Sequence, residues 1–213
     1  MRVADSPDLS DFIKPHSGRS PYLSIMTTSS DITQTLAAEY TRLATGFGDV
    51  LDEVPSDRWA APSPCDGWTA RDVVGHVIET QRDFIARHEI DLGETPALDD
   101  PAAAWRAHRT AVADRLAEPA VGVKPFDGHF GPTTVGETLL RFYGFDMVAH
   151  RWDVASAVGR ELRFTDAELD MMATAAAGFG PALYGDGVCK SGVEAGPDAD
   201  RQARVLAMLG RSA

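Results

Sequence analysis

The chain has 213 residues, 44% of them hydrophobic and 24% charged, with a net charge of −12 and a pI of about 4.8. That is enough chain for one domain with a proper core, and the acidic balance argues against nucleic acid and against an anionic membrane surface as partners. No apolar run reaches the length of a membrane span, no continuous apolar stretch marks a secretory signal, and Cys65 and Cys189 form neither a CxxC pair nor a disulfide framework. The expected compartment is therefore the reducing cytoplasm.

Residues 1–30 read as a disordered tail. They carry Pro7, Pro15, Gly18 and Pro21 and a Thr-Thr-Ser-Ser run, with little apolar periodicity. Met26 offers a second translation start beside Met1. Helix 1 is expected over 31–54, where Leu36, Tyr40, Leu43, Phe47, Val50 and Val54 recur at steps of three and four, with Asp31 as cap and Pro55 as stop. The next stretch holds three prolines, a glycine, Trp59 and Trp68, which excludes helix and suits a loop that closes one end of a bundle. Helix 2 is expected over 69–90, capped by Thr69 with Asp72. Its apolar arc is Val73, Val74, Val77, Ile78, Phe84 and Ile85, with His76 at the edge of the arc and Asp83 one heptad on.

Helix 3 is expected over 101–118, with Asp100 as cap and Pro101 at the first helical position. It carries Trp105, Val112 and Leu116 inward, and His108 and Arg109 are placed at its solvent rim. The segment 119–133 is rich in Gly and Pro and reads as a crossing loop with room for a short extended piece. Helix 4 is expected over 134–158, opened by a Thr134/Glu137 capping box and stopped at Gly159. A helical extension follows over 165–210, with a capping box at Thr165/Glu168 and a final short helix ending at Gly210. With 31–213 as a single metal-binding domain and almost no strand signal, the fold class is all-α, a four-helix bundle with a short helical C-terminal extension.

Helix 4 carries the anomaly. At 100° per residue one face collects Val135, Leu139, Phe142, Tyr143, Val154 and Ala157, and Asp146 and His150 fall in its middle. A carboxylate and an imidazole buried without partners cost several kcal/mol. Spaced i,i+4, their Cβ atoms lie roughly 5–6 Å apart, so they can bond each other or converge on a divalent metal, which takes nitrogen and carboxylate oxygen together. His76 from helix 2 completes a tripod of two nitrogens and one oxygen, an arrangement that leaves a coordination position open.

Two stretches, Pro64-Cys-Asp-Gly-Trp-Thr-Ala-Arg-Asp-Val-Val-Gly-His76 and Asp146-Met-Val-Ala-His-Arg-Trp-Asp-Val154, resemble the DinB-like four-helix-bundle metalloproteins. More closely they resemble the actinobacterial group related to the N-terminal domain of mycothiol-dependent maleylpyruvate isomerase. The resemblance implies a DinB-like bundle, His76, Asp146 and His150 at the three metal-ligand positions, and metal-assisted chemistry on a low-molecular-weight thiol, with mycothiol as co-substrate. Zinc is the expected ion, with nickel or another divalent metal as alternatives. Where the isomerase has a glutamate this chain has Asp146, one methylene shorter, and where the isomerase has a further C-terminal domain this chain has a short extension.

The function expected on this basis is that of a thiol-dependent transferase or isomerase acting on a small molecule. The alternatives are a metal- or small-molecule-binding module without catalysis and a metal-dependent hydrolase. Asp153 and Asp83 are candidates to support a ligating histidine, and Tyr143 and Arg151 are candidate substrate contacts. Cys65 could be a redox or metal-proximal thiol, but the favoured reading is a small buried apolar residue of the Trp-containing loop. A homodimer is a common outcome for such bundles.

Overall fold

The computed structural model describes residues 29–185 and 189–212, so the tail expected over 1–30 lies almost wholly outside the described residues. Four helices form the bundle. They are α1 (Ser29–Asp52), α2 (Ala70–Arg87), α3 (Pro101–Leu116) and a composite fourth helix, built from α4 (Val135–Thr138), a π-helical turn (Leu139–Tyr143) and α5 (Gly144–Ala157). Two further helices, α6 (Asp166–Phe179) and α7 (Arg201–Met208), make the extension, and a small antiparallel hairpin, β1 (Pro125–Gly128) with β2 (Gly131–Thr134), precedes α4. The chain is thus the all-α DinB-like bundle that its sequence resembles.

The helix starts follow from local chemistry. Thr69, Thr134 and Thr165 each accept a hydrogen bond from the backbone N–H three residues on, while Asp72, Glu137 and Glu168 reach back to the cap N–H. These are reciprocal capping boxes that satisfy otherwise orphaned donors. Asp100 caps α3 with Pro101 in the first turn.

α1 packs on α3 and α5, and α2 packs on the same two helices. Helices 1 and 2 therefore sit across the bundle from each other, and so do α3 and α5. This explains why long loops follow α1 and α3. The first carries Trp59, which is buried and closes one end of the core. α5 is the central element, covered by α1, α2 and α6. One apolar face, as the sequence suggests, is too narrow a description of it. Phe145, Met147, Val148, Ala149, Trp152 and Ala155, outside that face, are all buried as well, the pattern of a helix enclosed on most sides.

His108 is a correction. Expected at the solvent rim, it is 1% exposed and its Nε2 lies 3.1 Å from Gln81 Oε1, which also accepts the Tyr40 hydroxyl at 2.9 Å. Because Oε1 only accepts, Nε2 carries the proton of a neutral ring. Burial pushes this imidazole down to about 3, with Arg82 adding to the effect. The unfolded chain, with an ordinary value of 6.5, takes up the proton first as pH falls. The stability linked to His108 is therefore fully present above pH 6.5 and is lost as pH drops towards 3, at about 1.4 kcal/mol per pH unit. We expect His108→Gln to flatten the fall in urea-unfolding free energy between pH 6.5 and pH 5; a slope equal to wild type would contradict a buried neutral His108.

Candidate metal centre

Two helices and one loop build the site. On α5, Asp146 and His150 stand one turn apart, and His150 Nε2 lies 3.2 Å from Asp146 Oδ1. From α2, His76 Nε2 lies 3.8 Å from the other carboxylate oxygen, Oδ2. The two imidazole rings meet edge to face with centroids 5.1 Å apart. One ligand-capable atom from each of the three residues falls within 4.8 Å of the others. The arrangement is graded in depth: His150 is 8% exposed, and His76 and Asp146 are 23% and 25% exposed, so the cluster opens to one side.

The loop before α2 supplies a wall. Trp68 N–H donates to the Cys65 carbonyl at 3.0 Å, closing a β-turn over Cys65-Asp-Gly-Trp68. Gly67 takes the positive φ of 76° that the third position of such a turn can demand. The ladder-like bonds Ser63 N to Trp68 O and Ala70 N to Ala61 O then run the loop directly into the helix. This folding lays the Trp68 ring 4.7 Å from the His76 ring and 6.2 Å from the His150 ring.

Behind His150 lies a buried chain of charge. His150 Nδ1 is 2.8 Å from Asp153 Oδ2, and Asp153, fully buried, accepts two further bonds from Arg211, Nε to Oδ1 at 2.8 Å and Nη2 to Oδ2 at 2.6 Å. Burial works against ionising Asp153, but the bonds from Arg211 and His150 outweigh it and hold the carboxyl down to about 2. Burial likewise opposes a charged His150, yet the Asp146 carboxylate and the bonds from Asp146 and Asp153 lift it well above the ordinary histidine range. His76 goes the other way: burial lowers it and Asp146 offsets only part of that.

The structure gathers His76, Asp146, His150 and Asp153 at one place, and it separates others. Asp83 is exposed two turns further along α2, where its charge is felt at Tyr143 and not at the cluster. Tyr143 sits half-buried at the end of the π turn, within the field of Asp146 and hydrogen-bonding reach of Arg87, and burial pushes its phenol up to about 12. Arg151, a candidate substrate contact from the sequence, is engaged in a structural tie. It pairs with Glu168 at 2.6 Å and lies over the Phe164 ring, anchoring α6 on α5, because the residue after His150 points about 100° away from it.

Two participants, Trp68 and Arg211, were missed from the sequence, and for Cys65 the reading as a thiol beside the site was the less favoured of two. Cys65 packs on the core as a small half-buried residue, but its Sγ is also 3.5 Å from Asp153 Oδ2 and close to His150. Trp68 was read as a bundle plug only. Arg211 had no signal beyond its place after Gly210, a helix stop.

A model of the mycothiol maleylpyruvate isomerase N-terminal domain matches residues 40–155, which takes in every residue of the cluster. The chain belongs to this family. It is also similar to two uncharacterized proteins of Mycobacterium tuberculosis, from strains CDC 1551 / Oshkosh and H37Rv. Each is 30% identical over 149 residues, covering 68% of this chain and 80% of the relative. No solved structure matches the chain significantly. Among the described residues no helix is long and apolar enough to cross a membrane.

Proposed function

We propose that His76, Asp146 and His150 together hold one divalent cation, zinc or a close substitute such as nickel, and that the protein uses it on a small-molecule thiol. The observation that carries this reading is Asp146 Oδ2. It is buried, it faces His76 Nε2 at 3.8 Å, and it has no hydrogen-bond partner, while Oδ1 of the same carboxylate lies 3.2 Å from His150 Nε2. An orphaned buried carboxylate oxygen is costly, and a cation accounts for it. Two imidazole nitrogens and one carboxylate oxygen form a donor set that zinc accepts readily.

A bound cation of this kind acts as a Lewis acid and favours the thiolate form of a thiol that reaches it. The chain's own residues prepare the place. Asp153 accepts the Nδ1 proton of His150 and so aims Nε2 at the cluster. Trp68 packs its ring against His76 and lies near His150, an apolar wall beside the two imidazoles. Tyr143, with its raised phenol, stays protonated at neutral pH and is a hydrogen-bond donor near Asp146.

The family supports mycothiol as the thiol, and with it a transferase or isomerase acting on a small-molecule substrate in the cytoplasm, with a homodimer as the proposed assembly. Calorimetric titration of mycothiol into zinc-loaded and chelator-treated protein tests the thiol step. Binding is expected to the loaded protein alone. Equal binding to both forms, or binding to neither, would remove the thiol from the proposal.

A further inference from the structure

The C-terminal end of the described chain closes on the site. α7 ends in a six-residue reversal in which Arg211 N–H donates to the Leu206 carbonyl and Gly210 N–H to the Ala207 carbonyl, both at 3.0 Å, the paired bonds of a Schellman motif. Gly210 has φ 75°, and a Cβ there would stand 2.6 Å from Lys190 Cβ and 3.0 Å from two carbonyl oxygens. Position 210 therefore accepts only glycine without rearrangement. The reversal turns Arg211 inward, where it is 9% exposed, and its Nη1 also donates to the Leu209 carbonyl at 2.9 Å. Its other two donors take both oxygens of Asp153 in the fork-to-fork geometry that fixes a carboxylate plane. Asp153 Oδ2 in turn fixes the His150 ring through Nδ1.

From this geometry we infer that Arg211, at the far end of the chain, is a positioning residue for the candidate metal centre: through Asp153 it sets the orientation of the His150 imidazole. Its hydrogen bonds on this side go to Asp153 and not to His76 or Asp146; its charge is also felt at the Asp146 carboxyl, and Arg211→Lys keeps that charge while it loses the fork. The inference deepens the metal reading and, for its effect on affinity, rests on it. Its effect on ring orientation does not.

The experiment uses the full chain with Arg211→Met and Arg211→Lys beside wild type. In metal-free protein, 15N-resolved spectra of the histidine rings report whether the His150 Nδ1 proton is held. We expect a protected Nδ1–H signal in wild type, lost or broadened in Arg211→Met. Cobalt(II) titration followed by visible absorption then reports affinity, expected to fall about 10–100-fold in Arg211→Met and less in Arg211→Lys, which keeps the charge and loses the fork. Methylguanidinium added to Arg211→Ala should restore part of the loss, a rescue that a purely structural role does not give. Wild-type ring spectra and wild-type cobalt affinity in Arg211→Met would overturn the inference. If Arg211→Met does not fold, Arg211→Lys decides by the same two readouts. A wild-type chain that takes no cobalt would overturn the metal reading, and the ring spectra of the metal-free variants would still decide the role of Arg211.

Discussion

Asp153→Ala is expected to destabilise the protein by about 3–5 kcal/mol, because it removes one partner of a buried ion pair and leaves the other charged. Asp153 has no solvent-exposed surface, and Arg211 is 9% exposed. Without the carboxylate, the Arg211 guanidinium loses two short charge-assisted bonds and His150 Nδ1 loses its acceptor. Water cannot readily replace them at such depth. In thermal terms the loss corresponds to a melting temperature lower by roughly 6–20 °C for a chain of this size. The companion Asp153→Ala/Arg211→Met removes both charges, and it is expected to recover much of the loss, since the penalty lies in the unpaired charge more than in the missing bond. Urea unfolding of the two variants beside wild type measures the difference. Equal destabilisation of single and double variants would show that the pair is not buried as described.

His150→Ala and His76→Ala are expected to weaken divalent-metal affinity by more than about 100-fold each, beyond the 10–100-fold typical of residues that only support a ligand. The two should differ in their effect on the fold. His150 is 8% exposed and bridges Asp146 to Asp153, so its loss opens a small cavity at the centre of the bundle, although Arg211 still satisfies Asp153. His76 is 23% exposed and packs mainly on Trp68, so His76→Ala should lose metal with a melting temperature near that of wild type. Competition of each variant with a chromophoric zinc chelator gives the affinities. A His76→Ala chain with wild-type affinity would remove α2 from the site.

Much of the fold was legible because its signals are local. Apolar residues at steps of three and four on α1 and α2, threonines with an acid three residues on, and Gly159 after α5 all act within one or two helical turns. The pairing of Asp146 with His150 was legible for the same reason, as i,i+4 neighbours share a face. His76 was legible only in combination with them and with the family resemblance. The features that escaped depend on contacts between distant parts of the chain or on backbone choices without a residue signature. Nothing in Leu139–Tyr143 marks a π turn. His108 looks like a polar edge residue until Gln81 and Tyr40, from two other helices, arrive as its partners. Cys65 and Arg211 reach Asp153 from 88 and 58 residues away, and only the folded loop and the closing turn after α7 bring them there. Arg151 follows His150 directly, and the next residue of a helix lies on a different face, where Glu168 and Phe164 meet it.

The central claim is the cation between α2 and α5. Its most direct test is the metal content of the purified wild-type chain, measured by elemental analysis before and after dialysis against zinc. The account predicts about one divalent ion per chain. A chain that carries no metal and takes up neither zinc nor nickel would contradict it, and Asp146 and His150 would then be a buried ion pair closing the bundle beside Trp68.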